Sequence, residues 1–344
     1  MTAPKSVLTV LSLALFAGCG GSGPAPAPGN AAPPAGSILI GHYGSMTGSE
    51  ATFGQSSDNG VRLAIEEFNA AGGLAGRRIE IKTYDTQGKT QEAGTAVTRL
   101  VTDDKVVAIL GEVSSSLSIA GGRVAQQYGV PMITPSSTNP AVTQIGDKIF
   151  RVCFLDSFQG RAAAQFARDH LKATRAAILY DQGQAYSKGL KDFFKEAFVA
   201  RGGTITSEQA YGGGDQDFSA QLTTIRGTDP EVIYVPGYYT DAGNIALQVR
   251  KLGLKAPLLG GDGWDSTQLV AIGGSAIEGS YFTNHYSHQE KRPEVENFVK
   301  KYQAKFGQVP DGLAALGYDA ARLLFDAMGR AKSLSGGDLA AAIA

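Results

Sequence analysis

From residue 37 almost to the end of the chain, short apolar, β-branched runs alternate with longer stretches in which apolar residues recur every three to four positions. The first pattern reads as buried strands and the second as amphipathic helices, so their order predicts βαβ units on mostly parallel sheets. Strands are expected at 38–43, 79–84, 106–110 and 131–133, separated by helices at 55–71, 90–102 and 116–128. A second series places strands at 176–180, 204–207, 232–235, 258–259 and 279–282, with helices at 158–171, 187–201, 218–225 and 239–252. The fold class is therefore α/β, with two doubly wound parallel-sheet lobes. Lobe 1 is expected at 37–150 and lobe 2 at 151–285, while 286–344, helical at 300–306 and 313–330, returns to pack on lobe 1. A chain of 344 residues is long enough for two such bodies.

Polar residues gather where the strands end. The run at 106–110 leads into Ser114, Ser115 and Ser116, and the run at 131–133 into Thr134, Ser136, Ser137 and Thr138. In a parallel sheet both clusters lie at the carboxyl edge beside helix N-termini, whose outward N–H groups suit an anion such as a carboxylate. On lobe 2 the strand at 258–259 runs into Gly260-Gly261-Asp262-Gly263-Trp264, where glycines admit a ligand close to the backbone and Asp262 has room to face a cleft. Phe53, Tyr186, Tyr238, Tyr239 and Trp264 sit beside glycine or polar residues in expected loops, which marks them as cleft lining. Asp156-Ser157-Phe158-Gln159 has the spacing of a capping box where the chain leaves lobe 1.

Charge and motif searches narrow the chemistry. A net charge of -1 with 18% charged residues argues against a nucleic-acid partner held by phosphate neutralisation, so the ligand is expected to be small. Thr83 to Thr90 ends like a phosphate-binding loop but has Thr83 where the first glycine belongs. Ser187 lies in a partial nucleophile elbow lacking its first glycine, and a helix N-cap accounts for it better. Of the four histidines only His285 and His288 are spaced to share a metal, and a solvated loop explains them. No enzyme activity, catalytic residue, metal or cofactor is expected.

The N-terminus adds an address. One positive charge at Lys5 and an apolar run at 7–16 precede the small residues Ala17, Gly18 and Cys19, which reads as a secretory signal over 1–18. Leu15-Phe16-Ala17-Gly18-Cys19 resembles a bacterial lipobox, with Phe16 where Leu is usual. That resemblance implies an acylated Cys19, and the Gly/Ala/Pro-rich 19–36 suits a tether. With Cys19 so used, Cys153 is expected as a buried thiol rather than half of a disulfide.

Taken together, several short motifs resemble the leucine/isoleucine/valine-binding proteins, the receptors of branched-chain amino acid ABC importers. They are Gly44-Ser45-Met46-Thr47-Gly48, Ser114-Ser115-Ser116, Thr134-Pro135-Ser136-Ser137-Thr138-Asn139-Pro140, Arg151, Asp156 to Gly160, Tyr186, Pro236-Gly237-Tyr238, Gly261-Asp262-Gly263 and Gly317-Tyr318-Asp319-Ala320. The similarity spans 37 to about 330. It implies a periplasmic binding protein fold of type I, in which two α/β lobes hold an α-amino acid between them. By the same resemblance Ser114 or Ser115, with Ser136 and Thr138, holds the ligand carboxylate and Asp262 takes its ammonium. Tyr186 and Tyr238 line the lobe 2 wall beside Trp264, Phe53 roofs the side-chain pocket, and Tyr318 is structural. The chain departs from the family in having Asp rather than Glu at 262, one residue fewer between the serines and Pro131, and a C-terminus at Ala344 inside a helix, short of the family's final strands. The function implied is that of an exported, lipid-anchored monomer, periplasmic or on the cell surface, that delivers an amino acid or related carboxylate to ABC permease subunits. A ligand sensor of the same fold is the alternative and a hydrolase a remote one.

Overall fold

The computed structural model describes residues 36–344. The signal segment, Cys19 and nearly all of the expected tether lie outside the described residues.

The first half of the body contains β1 (Ile38–Gly44), α1 (Ala51–Ala70), β2 (Ile79–Asp85), α2 (Thr90–Thr102), β3 (Ile109–Leu110), α3 (Ser115–Tyr128), β4 (Met132–Thr134), a 3-10 turn over Pro140–Ile145 and β5 (Ile149–Arg151). The strands form one parallel sheet in the order β2-β1-β3-β4-β5. The second half follows with α4 (Asp156–Asp169), β6 (Arg175–Asp181), α5 (Ala185–Ala200), β7 (Thr204–Tyr211), α6 (Ser219–Arg226), β8 (Val232–Tyr234), α7 (Tyr239–Lys251) and β9 (Leu258–Gly260). A 3-10 turn over Asp262–Trp264, α8 (Thr267–Gly273) and β10 (Tyr281–Phe282) complete a second parallel sheet, in the order β10-β9-β8-β6-β7. The chain then enters α9 (Pro293–Phe306), α10 (Gly312–Arg330) and α11 (Gly336–Ile343).

These last helices join the core of the first sheet. Ile38 and Ile40 of β1 share an apolar cluster with Val61 and Ala64 of α1 and with Ala314, Ala321 and Leu324 of α10. The two helices approach closely because Gly60 and Gly317 have no side chains: a Cβ on either would strike the backbone of the other helix, at Ala314 and Ser57 respectively. Tyr318, on this seam, donates from Oη to Glu67 Oε2 at 2.7 Å, as a structural tyrosine should.

Three local expectations need correction. Helix α1 begins at Ala51, so Phe53 is a helical residue in the first turn rather than a loop aromatic. Helix α4 begins at Asp156 with Leu155 at the cap, and no capping box forms. Gln159 Oε1 instead accepts from the buried backbone N of Asp262 at 2.8 Å and from Thr283 Oγ1 at 2.6 Å. Helix α5 likewise starts at Ala185, which puts Ser187 inside the first turn; its Oγ accepts from the N of Asp181 at 2.9 Å and closes the strand-to-helix turn.

Candidate functional site

Each sheet reverses its winding once. In the first sheet the chain passes from β1 out to β2 and returns to β3 on the other side; in the second it passes from β6 out to β7 and returns to β8. Loops leaving the strands on either side of such a point diverge, which leaves a crevice at the carboxyl edge. The two crevices face each other. Between them lies a narrow, nearly closed gap with about 10 Å³ of free space, lined from the first half by Phe53, Val113, Ser115 and Ser136 and from the second by Tyr186, Tyr238, Asp262 and Gly263, with Leu313 beside them.

Asp262 is the charged end of this cavity. The turn after β9 presents it, 6% exposed, and its Oδ1 accepts from Tyr186 Oη at 2.9 Å. Tyr186 Oη accepts in turn from the N of Gly263 at 3.1 Å, which fixes the tyrosine. Burial pushes the Asp262 carboxyl above the usual carboxylate range, and His285, Gln159 and Tyr186 pull it back. Asp262 Oδ2 has no hydrogen-bond donor among the described residues; the nearest cationic candidate is His285 Nε2, 3.8 Å away. A largely buried carboxylate with one oxygen free of protein donors suits a cation, because ion pairing restores what desolvation removed.

An aromatic wall runs beside it. Tyr186 and Tyr238 stack with ring centroids 5.2 Å apart and planes 9° from parallel, and Phe53 meets Tyr238 edge-on at 5.4 Å and Tyr239 at 5.0 Å. Phe53 thus reaches from α1 across to the second sheet's loops. Trp264 does not join this wall. Its indole lies on Gly260, where a Cβ would overlap it, and its Nε1 donates to Val235 O at 3.1 Å, so it is core of the second half.

The hydroxyl edge is divided in its use. Ser114 donates from Oγ to Glu50 Oε2 at 2.6 Å and from N to Glu112 Oε2 at 2.6 Å. Ser115 Oγ accepts from the N of Asn139 at 3.3 Å and still lines the cavity. Ser137 Oγ donates to Val113 O at 2.8 Å. Ser136 Oγ and Thr138 Oγ1, both buried, have no partner among the described residues. Ser136 faces the cavity, whereas Thr138 lies beside Asp156, whose carboxyl burial pushes up to about 8.

Sequence reasoning missed the carboxylates beneath this edge. Glu112 is fully buried and accepts at Oε1 from Ser45 Oγ at 2.8 Å and Thr86 Oγ1 at 3.1 Å, tying β1, β2 and β3 together. Glu50 is pushed up to about 8 by burial and faces Asp181 and Asp241 of the second half across a further opening of about 220 Å³. An acidic residue after a strand reads as a turn residue, and only the flanking Gly111 and Val113 hinted that Glu112 turns inward. His285 also departs from expectation: its side chain is 6% exposed rather than solvated, because Phe154 stacks on the imidazole at 3.6 Å. His288 is exposed.

Direct contacts span the cleft beside the cavity. Ala185 N donates to Ser116 Oγ at 2.8 Å, Asn139 Nδ2 to Ala185 O at 2.8 Å and Thr240 Oγ1 to Ser49 O at 2.6 Å. The halves therefore meet in a closed arrangement.

Two parallel sheets with apposed carboxyl edges, a buried acid opposite hydroxyls and an aromatic wall define a two-lobed receptor for a small molecule. Residues 37–344 match the family model described as periplasmic binding protein, and the chain belongs to that family. It is 33% identical to Leu/Ile/Val-binding protein homolog 3 of Brucella melitensis over 78% of this chain and 72% of that one. Among solved structures it is similar to the leucine binding protein LivK of Thermotoga maritima (41% identity, TM-score 0.86, 89% of this chain and 87% of that chain). It is also similar to the branched-chain amino acid transporter substrate binding protein LivJ of Streptococcus pneumoniae in complex with isoleucine (34% identity, TM-score 0.84, 90% of this chain and 88% of that chain).

Proposed function

We propose that the chain captures a branched-chain aliphatic amino acid between its two sheets and hands it, chemically unchanged, to the membrane subunits of an ABC importer. The observation that carries this reading is Asp262 Oδ2, which no donor among the described residues reaches, on one side of a cavity whose other side offers the unpaired Ser136 hydroxyl and Ser115. Asp262 takes the ammonium. Ser136 and Ser115, with backbone N–H groups at the start of α3, take the carboxylate. Phe53, Tyr186, Tyr238, Val113 and Leu313 surround an aliphatic side chain. The hydroxyl of Ser114 is engaged by Glu50, Thr138 is set back beside Asp156 and Trp264 lies in the core, so these three support the site from behind. Ligand names carried by the Thermotoga and Streptococcus relatives agree with this choice of side chain.

A charge-assisted hydrogen bond contributes about 1.5–3 kcal/mol, so a few of them after ordering costs support affinity of roughly 1 μM, about -8 kcal/mol. Calorimetry against leucine, isoleucine, valine, polar amino acids and simple carboxylates tests the reading. Tightest binding by the aliphatic amino acids is expected; tighter binding of acids without an amine removes the role given to Asp262. Delivery is proposed to start from a chain held at the membrane through acylated Cys19. A fatty-acid probe that marks wild type and Cys19→Ser equally ends the tether.

A further inference from the structure

The ligand reading uses Asp262 but leaves His285 unexplained. Both imidazole nitrogens are buried without a hydrogen-bond partner among the described residues, an arrangement that native proteins keep only for a reason. Nε2 lies 3.8 Å from Asp262 Oδ2, the oxygen that Tyr186 leaves unsatisfied, and the Phe154 ring at 3.6 Å holds the imidazole in place. His285 is not among the residues lining the ligand cavity, so it reaches a ligand only through the carboxylate in front of it.

We propose that His285 is a specificity-determining positioning residue, whose protonation sets the charge that Asp262 offers to the cleft. With a neutral imidazole, Asp262 presents a full carboxylate and selects ligands with an α-ammonium. With an imidazolium behind it, Asp262 is already paired. An α-hydroxy acid of the same shape, which brings no positive charge, then competes with the amino acid. The inference rests on the ligand reading above.

The surroundings give the sign. Burial lowers the pKa of His285 from the ordinary imidazole value, and Asp262 followed by Asp265 raises it back. The switch therefore falls on the acid side of neutrality. Glu290, Arg292, Glu294, Asp319 and Arg322 line the opening on the outer side of His285, while Cys153 and Asp156 lie on the inner side near Asp262. Glu50, Asp181 and Asp241 stand at the mouth of the cleft and act on closure by any ligand. Their effect on closure cancels when two ligands of one shape are compared, and their effect on the ligand's ammonium is shared by wild type and the His285 variants.

The experiment measures, from pH 7.5 to 5.5, the ratio of affinities for leucine and for the 2-hydroxy acid in which hydroxyl replaces its amine. In wild type the ratio falls on acidification, by up to about tenfold per pH unit once one proton is fully linked. His285→Gln and His285→Asn flatten it. Linkage also runs backwards, so leucine bound to wild type moves the His285 titration midpoint, read by NMR, to lower pH, and the hydroxy acid does not. A midpoint indifferent to leucine, or variants that keep the wild-type slope, overturns the proposal. If leucine does not bind wild type at pH 7.5, the ligand reading itself fails. The coupling is then decided in the free protein, where Asp262→Asn lowers the His285 midpoint if the pair exists and leaves it unchanged if it does not.

Discussion

The two edges that face each other across the cleft are built on opposite principles. On the first sheet, polar groups are plentiful and mostly spent on one another: Ser114, Ser115 and Ser137 all have partners inside the protein, and Glu112 gathers three donors. On the second sheet the acid that lines the cavity, Asp262, stands beside the Tyr186–Tyr238 wall with one oxygen free of protein donors. Under the proposed site, abundance of polar atoms is a poor guide to where a ligand binds. What matters is which of them the fold has left unsatisfied, because a buried group with a partner gains little from a ligand and one without gains much.

Four perturbations sharpen that contrast. The largest effect on binding is expected from Asp262→Asn, which keeps the volume and removes the charge; leaving a buried ammonium unpaired costs about 3–5 kcal/mol, a loss of roughly 150-fold to several thousandfold in calorimetric affinity. Unchanged affinity in that variant would place the ammonium elsewhere. Next come two adjacent serines with opposite expected behaviour. Ser137→Ala strips a donor from a buried network and lowers unfolding free energy by about 1–3 kcal/mol in denaturant melts, while Ser136→Ala leaves the melt unchanged and lowers affinity by about 1 kcal/mol. Equal effects on both readouts would erase the distinction between spent and unspent hydroxyls. Trp264→Phe is smaller still: loss of the indole N–H bond to Val235 should cost about 1 kcal/mol of stability with ligand affinity retained.

The fourth is a pH effect on closure. Glu50 is pushed up to about 8 and Asp241 to about 7 by burial at the cleft mouth. A carboxyl whose folded-state pKa is raised holds its proton more firmly in the closed protein than in the unfolded chain. Its contribution is therefore present in acid and lost as pH rises through the folded value. Melting temperature should rise from pH 8.5 to pH 6.5, and Glu50→Gln should reduce the slope; a flat profile in wild type would show these acids to be solvated.

The sequence made the architecture legible because periodicity is a bulk signal. Helix α2 falls at 90–102 as expected, and every expected strand overlaps an observed one. Strand β5, Ile149–Arg151, escaped notice because three residues without a β-branched run carry no periodicity, and its place is set by pairing with β4. In the site, the loops after β3, β4, β8 and β9 were found from their glycines and hydroxyls, and Asp262 and the Tyr186–Tyr238 stack were among the residues singled out. What sequence could not supply was the partner of each polar atom. Trp264 beside glycines looked like a ligand contact, yet Gly260 serves as the floor on which the indole packs. Gln159 in a capping pattern turned out to brace Asp262 from 103 residues away.

The bonds that join Ala185 to Ser116 and Asn139, and Thr240 to Ser49, involve protein atoms alone. They favour the shut shape whether or not a guest is inside, so a guest need supply only the remaining bias. A receptor constructed in this way trades discrimination against empty closure for tighter retention. Under the proposed role in import, a membrane partner would then have to read more than shape to distinguish a loaded receptor from a vacant one.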